Sequence, residues 1–250
     1  MSATIATLTG TCGCGKTVMR EQAEGFGADL LNGLPFVCPE CSAEREAAWE
    51  REDAARQQRE DQDWLGMKLQ SLPVALRDAR LADLDTDGRT AALDAAQRWS
   101  GGELKGLVLL GSIGVGKTTI AAAAVRAYMV NNLRRPSPRW INTVQALNDL
   151  SRDFNDRRRV QTMNALDGQH AALVLDDIDK AKPNASAAAH VFGAIDACLT
   201  HERPLIVTTN LMPSQLAAYW PKPHGQTIAS RLAGYCELHK ITGRDRRVNR

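Results

Sequence analysis

The chain has 250 residues, of which 44% are hydrophobic and 24% are charged, with a formal net charge of +2. This composition is typical of a globular protein with one large domain and a small appendage. The chain has no run of 18 apolar residues, which excludes a membrane span, and no basic start followed by an apolar core, which argues against a secretion signal. We therefore expect a cytoplasmic protein.

The first region, residues 1–42, holds four of the six cysteines, as the pairs Cys12-x-Cys14 and Cys38-x-x-Cys41. Four thiolates suit tetrahedral Zn²⁺, which would stabilise a segment of about 40 residues that is too short for a large apolar core. We predict a zinc-binding module over 1–42 with these four ligands. The alternative is a set of unligated thiols. The remaining pair, Cys198 and Cys236, is predicted to pack in a core.

Residues 10–17 also match the pattern G-x-x-x-x-G-K-T. The stretch before them is short and only partly apolar, and no second strand ending in an acid follows before Leu107. We interpret the match as chance overlap with the metal-binding turn, in which Lys16 offsets the negative charge of a zinc–tetrathiolate centre.

Residues 43–71 are rich in Ala, Glu, Arg and Gln and predict an exposed linker helix. From residue 72 to 250 apolar strands alternate with helices, which predicts an α/β domain with a five-stranded parallel sheet covered on both faces. Its ligand should lie at the carboxyl ends of the strands. The predicted strands are 106–110, 139–144, 171–176, 205–209 and 237–242. The predicted helices are 117–133, 145–154, 185–200, 214–219 and 227–234.

A phosphate-binding loop follows the first of these strands and reads G-x-x-x-x-G-K-T. Its glycines let successive backbone N–H groups point at an anion, and the N-terminus of the next helix adds partial positive charge. Lys117 can reach the β- and γ-phosphates of ATP, and the Thr118 hydroxyl can bind Mg²⁺. The predicted nucleotide-binding residues are Gly111, Ser112, Ile113, Gly114, Val115, Gly116, Lys117, Thr118, Thr119 and Asp176.

Two later strands end in polar residues that complete an ATPase pattern. Asp176 is predicted to hold Mg²⁺, and Asp177 to orient or deprotonate the attacking water. Asp179 is expected to face solvent. After the strand 205–209, Asn210, and Thr209 with it, could contact the γ-phosphate or the water; the alternative is an asparagine in an ordinary turn.

Together these motifs resemble those of the AAA+ ATPases and, within them, the bacterial and phage helicase loaders of the DnaC/DnaI type. The resemblance also rests on Arg203-Pro204 and on residues 228–232, I-A-S-R-L. It implies an AAA+ domain over 72–250 without a C-terminal lid, located in a bacterial cell or phage-infected host. It further implies an ATP-bound homo-oligomer in which Arg231 reaches the neighbour's γ-phosphate, and a replicative hexameric helicase as partner of the N-terminal module.

Rival functions remain open beside the helicase loader. A transposition helper ATPase of the IstB kind shares the core, whereas a small-molecule kinase and a non-hydrolysing DNA-binding adaptor fit it less well. Two basic clusters are candidates for single-stranded DNA, although each can equally be a solvated surface. One cluster spans residues 152–159. The other comprises Arg244, Arg246, Arg247 and Arg250.

Overall fold

A computed structural model describes residues 5–23, 34–152, 156–167 and 170–246. The chain divides into two compact units, Met1–Gln62 and Asp63–Arg250. Within the described ranges, no helix has the length and apolar character needed to cross a membrane.

The first unit opens with an antiparallel hairpin of β1 (Ile5–Thr11) and β2 (Thr17–Ala23). A tight turn joins the strands, with the Cys12 N–H donating to Lys16 O at 2.8 Å. Because Thr17 begins a strand and not a helix, this G-x-x-x-x-G-K-T sequence lacks the helix N-terminus that a phosphate-binding loop requires. The helix α1 (Pro39–Leu69) follows and starts four residues before the predicted linker helix.

The second unit contains the predicted five-stranded parallel sheet, and the structure gives its spatial order as β4-β5-β6-β3-β7. Its strands are β3 (Gly106–Leu110), β4 (Arg139–Asn142), β5 (Leu173–Asp176), β6 (Leu205–Thr209) and β7 (Cys236–Lys240). Its helices over the described residues are α2 (Thr90–Gly101), α3 (Lys117–Asn131), α4 (Thr143–Leu150), α5 (Arg157–Asp167), α6 (Ala185–Thr200), α7 (Pro213–Tyr219) and α8 (His224–Tyr235), with short 3-10 turns at Val74–Leu76 and Leu81–Asp83.

Local capping explains where the elements depart from the predicted bounds. The predicted strand 139–144 ends at Asn142, because its side-chain oxygen accepts from the Gln145 N–H at 3.0 Å and starts α4. The helix α5 was not predicted; Asp156 begins it by accepting from the Arg158 N–H at 2.7 Å. The helix α2 was also missed; it ends at Gly101, and the next residue, Gly102, caps it with a left-handed φ of 87°.

Both faces of the sheet are buried, which is why its strands read as continuous apolar runs. In β3, Leu107 and Leu109 pack towards α2 and α3, whereas Val108 and Leu110 pack towards the helices that follow β4. The second of these cores also contains the buried Cys198 and Cys236, which confirms their packing role. Burial raises the pKa of these thiols to about 11 and about 12, respectively.

Candidate functional site

The phosphate-binding loop has the geometry that its sequence predicts: β3 leads into residues 111–116, and α3 begins at Lys117. Gly114 and Gly116 adopt left-handed φ values of 80° and 99°. A Cβ at Gly114 would lie 1.9 Å from Asp245 Oδ1, and one at Gly116 would lie 2.9 Å from Arg89 Nη1. The left-handed conformation therefore requires glycine at these two positions, whereas the side-chain ends that a Cβ would meet can move aside.

The buried ammonium group of Lys117 has three acceptors. Its Nζ donates to Gly111 O at 2.9 Å, to Ser112 O at 2.8 Å and to Asn210 Oδ1 at 2.7 Å. Burial lowers its pKa, opposed by the nearby carboxylates of Asp177 and Asp179. The cation thus lies over its own loop, beside the end of β6.

The first acid of the predicted pair is buried beside the loop. Asp176 Oδ1 accepts from Thr118 Oγ1 at 3.1 Å and from Thr208 Oγ1 at 2.7 Å, and burial raises the pKa of its carboxyl group. The Thr118 hydroxyl and the Asp176 carboxylate therefore present hard oxygen ligands side by side, a donor set that suits Mg²⁺.

The second acid, Asp177, has a left-handed φ of 56°, a conformation that aspartate tolerates better than most residues. Its N–H donates to Thr208 Oγ1 at 2.8 Å. Thr208 thus orders both acids, although the sequence prediction did not select it. The period-two alternation of β6 could have found it, because Thr208 and Asn210 share one face.

Thr209 lies on the opposite face of β6 and does not join the site. It is buried, and its Oγ1 accepts from the Leu211 N–H at 3.1 Å. The expectation that it accompanies Asn210 at the nucleotide was therefore wrong.

Asp179 was expected to face solvent, and this was also wrong. Only 4% of its side chain is exposed. Its Oδ1 accepts from the Asn210 N–H at 2.9 Å, and its Oδ2 from Asn210 Nδ2 at 2.7 Å. The chain turns back after β5, with Lys180 N donating to Asp177 O, so that the aspartate meets the end of β6.

A cavity of about 860 Å³ joins the loop, the acids and Asn210. The residues lining it include Ile113, Gly114, Gly116, Lys117, Thr118, Thr119, Asp176, Asp177, Lys180 and Asn210. Apolar side chains from Pro73, Ala75, Leu76 and Leu84 line it as well. The cavity therefore offers phosphate-binding groups together with an apolar surface for a base.

Arg89 and Arg246 also line this cavity and were missed as site residues. The Arg246 guanidinium forms an ion pair with Asp85 and donates to Asp87 O at 3.0 Å. The backbone N–H of Arg246 donates to Gly114 O at 3.0 Å. Arg89, nearly fully buried, also faces Asp85, at 3.5 Å. Two cations thus share one carboxylate beside the phosphate-binding loop.

The structure places the arginines of the two predicted basic clusters differently from one another. Arg246 lines the cavity, whereas Arg244 is exposed. Arg247 and Arg250 lie outside the described residues, and DNA binding by this cluster stays a prediction. In the other cluster, Arg159 donates to Arg152 O at 3.1 Å and to Leu150 O, which joins α5 to α4. Residues 153–155 lie outside the described ranges.

Arg231 lies on α8 and is not among the residues that line the cavity. Its Nη2 forms an ion pair with Asp196 Oδ1 at 3.0 Å, and 45% of its side chain is exposed. The structure thus separates it from the phosphate-binding loop of its own chain, and its role in a neighbour's site stays a prediction.

The four N-terminal cysteines converge, with all Sγ atoms within 4.8 Å of one another. Four sulfurs around one zinc ion at the usual bond length lie about 3.8 Å apart, and Cys14 Sγ and Cys38 Sγ are 3.6 Å apart. The backbone N–H groups of Cys14 and Cys38 lower the pKa of the Cys12 thiol to about 6. The donor set therefore fits Zn²⁺.

Lys16 lies beside this cluster and pairs with Glu40, with Nζ 2.8 Å from Oε1. The ion pair lowers the pKa of Glu40 to about 2. Glu40 first, and then Cys38 and Cys14, raise the pKa of Lys16, so its predicted role as a counter-charge for a zinc centre stays a prediction.

Fold and site together define a P-loop nucleotide-binding protein. The chain belongs to the IstB-like ATP binding protein family, whose sequence profile matches residues 44–250. It is also 32% identical over 130 residues to a protein of Mycobacterium tuberculosis named for ATP binding in an insertion sequence. That match covers 52% of this chain and 49% of the relative, so the chain spans about half the length of that protein.

Solved structures share the fold of about two thirds of the chain. DnaI matches with a TM-score of 0.57 and 24% identity, over 70% of this chain and 94% of that chain. The DnaC helicase loader matches with a TM-score of 0.54 and 21% identity, over 68% and 100%. DnaA from Aquifex aeolicus bound to AMPPCP matches with a TM-score of 0.55 and 16% identity, over 68% and 52%. The AAA+ fold predicted from the motifs is confirmed.

Proposed function

We propose that the protein is an ATP-dependent helicase loader, an oligomeric ATPase that binds a replicative hexameric helicase and helps to place it on single-stranded DNA. One observation carries this proposal: in the sequence, the cluster of Cys12, Cys14, Cys38 and Cys41 precedes an AAA+ domain similar to those of helicase loaders. The matched part of this chain corresponds to nearly the whole of the matched DnaI and DnaC chains but to half of the matched DnaA chain. The cysteine cluster precedes residue 44, where the match to the IstB-like family begins.

In the proposed ATPase, each residue at the loop has one role. Lys117 leaves its own carbonyl acceptors for the β- and γ-phosphates, which are stronger, charged acceptors. Thr118 and Asp176 would hold Mg²⁺, which supplies charge neutralisation at the phosphates. Asp177 accepts a proton from the attacking water, because its carboxylate faces the cavity without the hydroxyl donors that occupy Asp176.

The N-terminal module, residues 1–42 with zinc at its four cysteines, is the proposed helicase-binding part. Residues 43–71 connect it to the ATPase domain at 72–250. Single-stranded DNA is expected to meet exposed arginines such as Arg157, Arg158 and Arg244 in an oligomer.

The experiment is co-purification of the tagged full-length protein with the replicative helicase of its host, followed by an assay of helicase transfer to single-stranded DNA. Deletion of residues 1–42 should remove helicase binding. ATP affinity of the deletion variant, measured by calorimetric titration, should remain at the full-length value and serves as the folding control. Helicase binding that survives the deletion would place the interaction elsewhere.

A second candidate is a transposition helper ATPase, favoured by the family match and by the insertion-sequence relative. This function predicts binding to a transposase and to double-stranded DNA. Capture of a transposase without helicase, by the same tagged protein, would replace the loader proposal with this one.

A further inference from the structure

Asn210 has its side-chain amide between two groups of opposite charge. Its Oδ1 accepts from Lys117 Nζ at 2.7 Å, and its Nδ2 donates to Asp179 Oδ2 at 2.7 Å. An ammonium group can only donate, and a carboxylate can only accept. A flipped amide would face a donor with a donor and an acceptor with an acceptor, so the two charges together define one orientation.

Asp179 also holds the backbone at this point, because its Oδ1 accepts from the Asn210 N–H at 2.9 Å. Both carboxylate oxygens therefore bind one residue, through its main chain and its side chain. The aspartate is nearly buried, and Lys180 Nζ lies 3.8 Å from Oδ2. At such burial these bonds are difficult to replace with water, so the position of Asn210 depends on this one carboxylate.

The consequence reaches the phosphate-binding lysine. Among the described residues, Lys117 Nζ donates to three acceptors. Asn210 Oδ1 is the side-chain acceptor of the three, and the other two are the carbonyls of Gly111 and Ser112. A carboxylate that fixes the amide thus fixes the acceptor that Lys117 must leave when phosphates bind. Lys117 and Asn210 both line the cavity, whereas Asp179 is not among the residues lining it.

We infer that Asp179 is a positioning residue of the ATPase site: it sets the orientation of the Asn210 amide and, through it, the place of the side-chain oxygen that accepts from Lys117 Nζ. The inference rests on the proposed ATP hydrolysis at this cavity. Asp179 is not among the residues that line the cavity, and its contribution to turnover passes through Asn210.

The test is Asp179→Asn in the full-length protein. An amide at 179 has one oxygen for two donors and presents an N–H₂ group of its own, so it cannot satisfy Asn210 in the present geometry. Turnover should fall by about tenfold to a hundredfold, as expected when a catalytic group is misplaced. The Kd for ATP should change by less than about threefold, because the loop and Lys117 remain.

The matched control is Glu237→Gln, which also converts a paired carboxylate to an amide. Glu237 Oε2 lies 2.6 Å from Arg98 Nη2, between β7 and α2, away from the cavity. This control should keep wild-type turnover even if its melting temperature falls. If both variants lost turnover equally, the effect of Asp179→Asn would be explained by lower stability of the fold, and the inference would be overturned.

The double variant Asp179→Asn with Asn210→Asp tests two effects separately. It can restore the hydrogen bond between positions 179 and 210, but it removes the amide from position 210. The new amide can donate to the new carboxylate, so the melting temperature should recover towards wild type. Turnover should stay low, because residue 210 no longer carries an amide. Wild-type turnover in the double variant would show that the orientation of an amide is irrelevant, and would refute the inference.

A readout without turnover distinguishes this inference from the ATPase proposal. The side-chain ¹⁵N amide resonance of Asn210, assigned by its loss in Asn210→Asp, should shift and exchange faster in Asp179→Asn. An unchanged resonance would overturn the positioning role. If the wild type fails to hydrolyse ATP in the presence of helicase and single-stranded DNA, the proposed function fails, and the resonance still decides the role of Asp179.

Discussion

Lys117 is stabilised by neutral acceptors in a place where a lysine would otherwise be costly to bury. Two of these acceptors are backbone carbonyls of its own loop, so its location before a nucleotide arrives is set by local geometry. Phosphate oxygens carry full charge and form stronger hydrogen bonds with an ammonium group. Nucleotide binding at this residue is therefore an exchange of weaker acceptors for stronger ones.

Replacing Lys117 with alanine should weaken ATP binding by about tenfold to a hundredfold, the equivalent of one or two charged hydrogen bonds. Calorimetric titration measures the change. Lys105→Ala, at an exposed lysine just before β3, is the control and should bind ATP as the wild type does. Undiminished affinity in Lys117→Ala would contradict the assignment of the loop.

Replacing Asp177 with asparagine should leave ATP binding intact and reduce turnover by about a hundredfold or more, because an amide cannot accept the proton of the attacking water. Single-turnover hydrolysis measures the loss. Asp94→Asn, at an exposed aspartate of α2, is the control. Wild-type rates in Asp177→Asn would assign the base to another residue.

At the scale of elements, alternate residues at the end of β6 point to opposite faces of the sheet. Thr208 and Asn210 face the acids and Lys117, and Thr209 between them is turned away. The strand β5 lies beside it in parallel register, with Leu175 opposite Val207. The next residues of the two strands, Asp176 and Thr208, are therefore neighbours, and their hydrogen bond follows from the register.

The cluster of four cysteines at the β1–β2 turn and the start of α1 should bind a metal ion. We expect one Zn²⁺ per chain in protein purified without chelator, measured by elemental analysis, because four sulfurs converge at zinc-binding distances. Cys38→Ser with Cys41→Ser should remove the metal, and Cys198→Ala, at a core cysteine, should retain it. A metal-free wild type would exclude the zinc module.

At the scale of the whole molecule, Arg231 is set apart from the nucleotide cavity and paired on the surface with Asp196. An arginine so placed can complete a site only in a neighbouring subunit, where its permanent charge and planar fork suit phosphate oxygens. Hydrolysis would then depend on assembly, as the proposed loader function requires.

Arg231→Ala should bind ATP nearly as the wild type does and hydrolyse it far more slowly, since fingers supplied in trans contribute roughly 10³–10⁵ in rate in the strongest cases. A mixture of Arg231→Ala and Lys117→Ala subunits should regain part of the activity, because each supplies what the other lacks. An inactive mixture of variants that demonstrably co-assemble would make Arg231 a structural residue. Arg244 would then be the next to test, since Arg246 already lines its own cavity.

The sequence by itself determined the β3–loop–α3 unit, the five-stranded parallel sheet and the convergence of Lys117, Thr118, Asp176 and Asn210. These follow from local patterns, because a continuous apolar strand, a glycine loop and strand-end acids dictate their structure within a few residues. The cysteine spacing predicted the cluster in the same way.

Only the tertiary structure decided the roles of Asp179, Thr208, Arg89 and Arg246. Asp179 follows β5 but binds Asn210, the residue directly after β6, and Arg246 meets Asp85 across more than 150 positions of sequence. No periodicity encodes such a contact, because it depends on which strands are neighbours and on how the chain turns after them. From the sequence alone, a polar residue outside a strand is predicted to be exposed to solvent. It acquires a hydrogen-bond partner only when the fold buries it against a distant segment.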